Sequence, residues 1–217
     1  MIRLQFIRRL AAFTGAAAVL LAIAPAMAQT PPSGGPAPLS VEDQALADQA
    51  VAYLQALAQA KGRFEQTDYR GAVSRGEIYL DRPGKARFAY DPPSSLLVVA
   101  DGRKVSVVDP RLGTVNRYPL GATPLGLFLA KKVQIGSGVL ITGVQRAADG
   151  FSLIARDARH PARGEIALSF SQDPMRLRAF SMTDSRGRTT RLALTALEPT
   201  SGLSASLFES PDIDTVP

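Results

Sequence analysis

Apolar residues recur along this chain at two different spacings, and the change from one to the other divides it into elements. Leu46, Ala50, Tyr53, Leu54 and Leu57 fall three and four residues apart, the spacing that gives a helix a single apolar stripe. Ser40 stands where an N-cap would, and Glu42 and Asp43 follow in the first turn, where acids meet the positive end of the helix dipole. The pattern predicts an amphipathic helix over 41–60, stopped by Gly62. Beyond Gly62 the period drops to two. Phe64 and Gln66 alternate with Arg63, Glu65 and Thr67; Ile78, Leu80 and Arg82 alternate with Glu77, Tyr79 and Asp81; Ala86, Phe88 and Tyr90 alternate with Arg87 and Ala89. Further β-rich runs lie at 95–100, 104–109, 114–119, 139–145, 151–156, 164–171, 176–183 and 189–197, most of them separated by turn pairs such as Asp101-Gly102, Asp149-Gly150 and Arg186-Gly187.

Short strands at this spacing predict an antiparallel meander of about eleven strands, and no parallel strand–helix–strand pattern interrupts it. One segment does: Thr123-Pro124-Leu125-Gly126-Leu127-Phe128-Leu129-Ala130-Lys131-Lys132 has a capping Thr, Pro at the first helical position and lysines at the end. The expected order is therefore a helix, about six strands, a short apolar helical insert and about five strands. A single curved, unclosed sheet with helices across one face fits that order.

The two ends and the composition set the compartment. Arg3, Arg8 and Arg9 precede the apolar run Leu10 to Ile23, and Ala26-Met27-Ala28 follows, in the order of an export signal with cleavage after Ala28. The run is broken by Pro25 before it reaches the roughly 20 apolar residues of a spanning helix. Residues 29–40, rich in Pro, Gly and Ser, read as a disordered leader, and 41–217 as one domain. Removing 1–28 takes three arginines and no acid, so the formal charge falls from +6 to +3. Without a basic run in the body of the chain, nucleic-acid binding has little electrostatic support, and only a mild attraction to anionic membrane surfaces remains. The absence of cysteine excludes a thiol nucleophile, a thiolate metal site and a lipid-modified N-terminal cysteine.

A search for chemistry finds little. His160 is the single histidine and sits in the loop Arg159-His160-Pro161 among cations, a setting that favours solvent exposure over a catalytic triad. Asp81, Asp91, Asp101 and Asp109 fall at strand ends and turns, where Asp satisfies local backbone N–H groups. No metal site, cofactor site or enzyme is expected; the chain reads as a binding protein. Arg82 needs an explanation, because alternation places it on the apolar face with Ile78 and Leu80, and a guanidinium is costly to desolvate. Either it snorkels to solvent beside Pro83, or it lies at the rim of an apolar cavity and reaches orphan carbonyls at the end of a helical lid. Phe64, Phe88, Tyr90, Leu97, Val99, Phe128 and Leu129 pose a parallel choice between filled core and cavity lining, and spacing alone leaves both open.

Several stretches in order resemble the LolA family of outer-membrane lipoprotein carriers. They are Gly62-Arg63-Phe64-Glu65-Gln66, then Gly76 to Tyr90 with Arg82-Pro83 and Arg87 inside it, then Pro92-Pro93, Val98 to Val105, Val108-Asp109-Pro110, and Thr123-Pro124 opening the insert. The resemblance implies an unclosed antiparallel barrel whose concave apolar face, lined by Phe64, Ile78, Leu80, Phe88, Tyr90, Leu97, Val99 and Phe128, is covered by helices. It implies that Arg82 latches the lid, near Leu129 and Ala130 at the lid's end. It further implies a periplasmic carrier, monomeric, that takes lipid-modified lipoproteins from an inner-membrane ABC transporter to the outer membrane, with an outer-membrane receptor left open. Ala86, where a bulkier apolar residue is common, and the Pro-rich leader depart from the family pattern. Two other readings on this fold stay open: a carrier of a different amphiphile, such as a glycolipid, and a lipoprotein-sensing domain.

Overall fold

The computed structural model describes residues 38–129 and 139–210. The export signal, most of the leader and the end of the helical insert, including Ala130, lie outside the described residues. Helix α1 spans Val41–Ala56 and starts where expected, with Ser40 Oγ accepting the Asp43 N–H at 3.1 Å. It ends four residues earlier than the spacing predicts. Gln59, Ala60 and Lys61 instead open strand β1 (Gln59–Thr67), because they pair with Asp81, Leu80 and Tyr79 on one side. On the other side Ala60 and Lys61 pair with Pro199 and Glu198. A ladder on both sides outweighs one more helical turn.

The remaining elements follow the predicted order. Strands β2 (Val73–Asp81), β3 (Lys85–Tyr90), β4 (Leu97–Asp101), β5 (Lys104–Asp109) and β6 (Thr114–Pro119) precede helix α2 (Pro124–Leu129). Strands β7 (Val139–Ala147), β8 (Gly150–Asp157), β9 (Gly164–Ser171), β10 (Arg176–Asp184) and β11 (Thr189–Pro199) complete an 11-stranded antiparallel sheet. Its spatial order is β6-β5-β4-β3-β2-β1-β11-β10-β9-β8-β7. The two edge strands β6 and β7 do not pair with each other, so the sheet is unclosed. The β1–β11 ladder is the seam that joins the first six strands to the last five.

One glycine sets how closely that seam packs, and a second sets the approach of β2 to β3. A Cβ at Gly62 would lie 1.7 Å from the Ala196 carbonyl oxygen of β11. A Cβ at Gly76 would lie 2.3 Å from the Ala89 carbonyl oxygen and 2.8 Å from Phe64 Cζ. Phe64 and Gly76 are register partners, so the ring covers the strand position that lacks a side chain.

The buried apolar set lies mainly on one face: Phe64, Ile78, Leu80, Phe88, Phe151, Leu168 and Phe180 pack beneath Ala47, Ala50 and Leu54 of α1 and Phe128 and Leu129 of α2. The opposite face carries a second, smaller cluster of Leu97, Val99 and Val108, with Ala89 and Val115 against it. The segment after β11 crosses the same face. The Gln59 carbonyl accepts the Thr200 N–H at 2.9 Å, its side chain accepts the Leu203 N–H at 3.2 Å, and Arg87 donates to the Leu207 carbonyl at 3.3 Å. Ser106 and Ser210 share a hydroxyl–hydroxyl hydrogen bond, and a 3-10 turn at Ala205–Phe208 rests on β3 and β4. Phe208, only 2% exposed, is the apolar anchor of this strap. Truncating a buried Phe costs about 3 kcal/mol or more, so Phe208→Ala is expected to lower the denaturant midpoint accordingly. An unchanged midpoint would show that the strap adds nothing to the sheet. Among the described residues no helix is long and apolar enough to cross a membrane.

Candidate functional site

The inner face is built around a chain of rings. Tyr90 meets Phe64 edge to face at 5.0 Å, Phe64 meets Phe88 at 5.8 Å, and Phe88 meets Phe180 at 6.2 Å. Phe180 in turn stacks on Phe128 of α2 at 5.4 Å. The sheet thus supplies rings from β1, β3 and β10, and helix α2 supplies the last. Alternation places Phe64, Ile78, Leu80 and Phe88 here as expected. Tyr90 is partly buried at one end of the row, where its hydroxyl donates to Gln66 Oε1 at 2.6 Å. Burial pushes its hydroxyl pKa up to about 12.

Leu97 and Val99 do not line this face. The register pairs Phe88 with Val98 and Ala86 with Ala100, which turns Val98 and Ala100 inward and Leu97 and Val99 outward to Val108. The physical reason is that Leu96-Leu97-Val98-Val99-Ala100 is apolar at every position. A strand buried on both sides has no alternation from which to choose a face.

Arg82 is half-buried at the mouth of the β2–β3 turn. Its guanidinium donates to the Leu54 carbonyl in the last turn of α1 and lies 5.8 Å from the centre of the Phe128 ring. Its backbone N–H donates to the Ala58 carbonyl at 2.7 Å. Two residues on, the Gly84 N–H donates to the Leu129 carbonyl at 2.9 Å. Desolvation lowers the Arg82 pKa to about 10, still high enough to keep it charged at neutral pH. Among the described residues, then, Arg82 reaches a carbonyl of α1 and the face of a ring of α2; the carbonyls at the end of the insert, which the sequence reading names, lie outside the described residues. One side chain touches both covering helices. Leu129 is buried at the end of α2, while Ala130 falls outside the described residues.

Sequence reasoning missed Phe180 and the end of α1. Phe180 follows a bulge between Leu177 and Ala179, which shifts the alternation by one and hides its face. The signal for α1 lay in the three or four unsatisfied carbonyls that any helix end carries. Arg146 adds a tie near the start of α1, donating to Asp43 Oδ1 at 2.8 Å. That hydrogen bond holds the Asp43 carboxyl below its ordinary pKa.

Chemically the inner face offers apolar contact and little else. Among the described residues no group of three or more His, Cys, Asp or Glu is placed to hold a metal. His160 is exposed, with Nδ1 3.6 Å from Asp157. A separate groove of about 730 Å³ runs along β8–β11, where Phe151, Phe170 and Leu177 alternate with Arg176, Arg191 and Glu198. Those mixed walls lack the continuous apolar lining that an acyl chain needs.

Residues 55–211 match the model of a family described as outer membrane lipoprotein carrier protein LolA. The chain is 26% identical over 171 residues to an outer-membrane lipoprotein carrier protein of Chromohalobacter salexigens, covering 75% of this chain and 80% of that protein. It is 24% identical over 176 residues to a protein of the same name from Cupriavidus taiwanensis, covering 76% and 82%. Among solved structures, a LolA superfamily protein from Nitrosomonas europaea aligns at 11% identity with a TM-score of 0.43, covering 76% of this chain and 97% of that one.

Proposed function

Because the chain belongs to the LolA family of outer membrane lipoprotein carriers, we propose that it holds the acyl chains of lipoproteins against its inner apolar face while they cross the periplasm. Residues 1–28 would be removed on export and 29–40 would form a leader ahead of the carrier domain. The lipoproteins would be received from an inner-membrane ABC transporter and delivered to the outer membrane. The observation that supports this reading best is the row of rings Phe64, Phe88 and Phe180, covered by helix α2, which itself ends the row with Phe128.

Phe128 of α2 stacks on Phe180, so this arrangement would be the closed carrier and cargo would enter by lifting that helix off Phe180. Each methylene moved out of water contributes about 0.8 kcal/mol, so two or three acyl chains outweigh the contacts that hold that helix. Arg82 would latch the closed state, touching α1 through a carbonyl and α2 through a ring. Phe64, Ile78, Leu80, Phe88, Tyr90, Phe128 and Leu129 would meet cargo.

The test is release of lipoproteins from spheroplasts by the processed chain, read as outer-membrane lipoproteins in the soluble fraction. Stoichiometric release by the wild type, lost in Phe128→Gln but kept in Phe208→Ala, which removes a buried ring outside the inner face at a comparable cost in stability, is the expected result. No release, with another lipid found bound to the purified chain by mass spectrometry, would move the function to a different amphiphile.

A further inference from the structure

The ladder registers bring five connections to one end of the sheet. One, β3–β4 (91–96), has Pro93 and no Arg two residues after Asp91; the other four are β1–β2 (68–72), β5–β6 (110–113), β8–β9 (158–163) and β10–β11 (185–188). All four are opened by the same three-residue pattern, Asp-x-Arg: Asp68-Tyr69-Arg70, Asp109-Pro110-Arg111, Asp157-Ala158-Arg159 and Asp184-Ser185-Arg186. In each, the Asp side chain turns back on its own loop. Asp68, Asp109, Asp157 and Asp184 Oδ1 accept the N–H of Arg70, Arg111, Arg159 and Arg186 at 2.8, 3.0, 2.7 and 2.9 Å. Each also accepts a second N–H further along the turn, from Ala72, Leu112, His160 and Arg188. The carboxylate is thereby directed mainly at backbone dipoles, with Arg188 also donating to Asp184 Oδ2 at 2.7 Å and Arg111 Nε 3.8 Å from Asp109 Oδ1, while the Arg two residues later stands exposed at the tip. The opposite end has this pattern once, at Asp101-Gly102-Arg103. Its other turns hold Asp149 and Asp173 without such an Arg.

Apolar exposure concentrates at the same end. Tyr69 (45% exposed), Val73 (52%) and Leu112 (70%) are three of the five large hydrophobic residues left exposed among the described residues. Tyr69 lies between two guanidinium groups, with Arg70 Cζ 5.1 Å and Arg188 Cζ 5.0 Å from its ring centre. A Tyr ring with its hydroxyl outward, flanked by arginines and accompanied by a Leu at a turn tip, suits the boundary between headgroups and acyl chains.

We propose that this end of the sheet is a docking face for an anionic lipid surface, with Arg70, Arg111, Arg159 and Arg186 meeting headgroup phosphates and Tyr69 and Leu112 entering the boundary layer. The four tips lie on turns spread along the strand order, from β5–β6 to β8–β9, and they join exposed arginines to exposed apolar groups, the pairing that a headgroup boundary accepts. The inference does not depend on lipoprotein cargo, since it concerns the outside of the strand ends.

Vesicle co-sedimentation of the processed, cargo-free chain tests it, using phosphatidylcholine vesicles with and without phosphatidylglycerol. A basic residue near an anionic surface contributes about 1 kcal/mol, so each Arg removed is expected to lower partitioning about fivefold, and R70Q/R159Q/R186Q on the order of a hundredfold. The control R103Q/R176Q/R178Q makes the same change in net charge at the opposite end and is expected to bind like the parent. Leu112→Ser is expected to weaken binding without altering the melting temperature. Partitioning equal in both vesicle types would overturn the proposal, as would equal loss in the two triple variants. Absence of binding at low salt would overturn it too and would reserve these arginines for an acidic protein partner.

Discussion

Gly62→Ala is expected to cost the protein a large share of its stability, while Gly143→Ala, on the edge strand β7, leaves it nearly unchanged. The difference lies in the seam. Gly62 sits between Ile78 of β2 and Leu197 of β11, and an added methyl carbon would fall 1.7 Å from the Ala196 carbonyl oxygen and 2.9 Å from the Leu197 Cα. Both obstacles are backbone, so no side-chain rotation relieves them. β1 would have to separate from β11 at the one ladder that joins the two halves of the sheet. Overpacking usually costs 1–3 kcal/mol; here a ladder must also open, so at least about 3 kcal/mol is expected, a large share of a typical 5–15 kcal/mol. At Gly143 nothing lies within 4 Å of the added atom. Chemical denaturation of the two variants side by side decides it, and coincident midpoints would mean that the seam is looser than its geometry implies.

The same glycine shows how the sequence could be read and where reading stopped. Gly62 was visible as the point where a helical spacing gave way to a strand spacing, and as the first letter of a family motif. Its role as the contact between β1 and β11 was not visible, because its neighbour Ala196 is far away in the chain. Strands with one buried face were legible for a related reason: Ile78 and Leu80 alternating with Glu77 and Tyr79 reveal both the strand and its inner side. Leu97 and Val99 gave the strand but not the side. Their outward placement needs the register with β3, together with a second cluster on the far face that no local pattern announces. Arg82 was legible as an anomaly, a cation on an apolar face. Its contact with the Leu54 carbonyl of α1 was not, since the orphan carbonyls of any helix end look identical in sequence. The fold class thus follows from local periodicity, while site contacts depend on pairings between distant residues.

Replacing Arg82 with leucine is expected to give a chain that folds, takes up cargo and delivers it poorly. Leucine keeps an apolar stem against the Phe128 ring, so the inner face stays packed. What disappears is the charged hydrogen bond to the Leu54 carbonyl and the cation over Phe128, contacts that exist only while both helices lie on the sheet. A hydrogen bond to a charged group contributes about 1.5–3 kcal/mol. If Arg82 latches the lid as proposed, that energy would favour the closed, empty state and so weaken the hold on cargo, because binding would first have to pay for opening. Removing it raises the open fraction and tightens cargo retention by roughly ten- to a hundredfold, at 1.4 kcal/mol per factor of ten. Arg82→Lys, which keeps the charge on a single compact donor, is expected to fall between the two. The readout is two-step: release of lipoproteins from spheroplasts, which the leucine variant should perform normally, and transfer from carrier to outer-membrane vesicles, which it should perform slowly. If transfer by Arg82→Leu matches the parent and its cargo dissociates no more slowly, the latch is not what returns the carrier to its empty state, and closure must be driven by α2 packing on Phe180 alone.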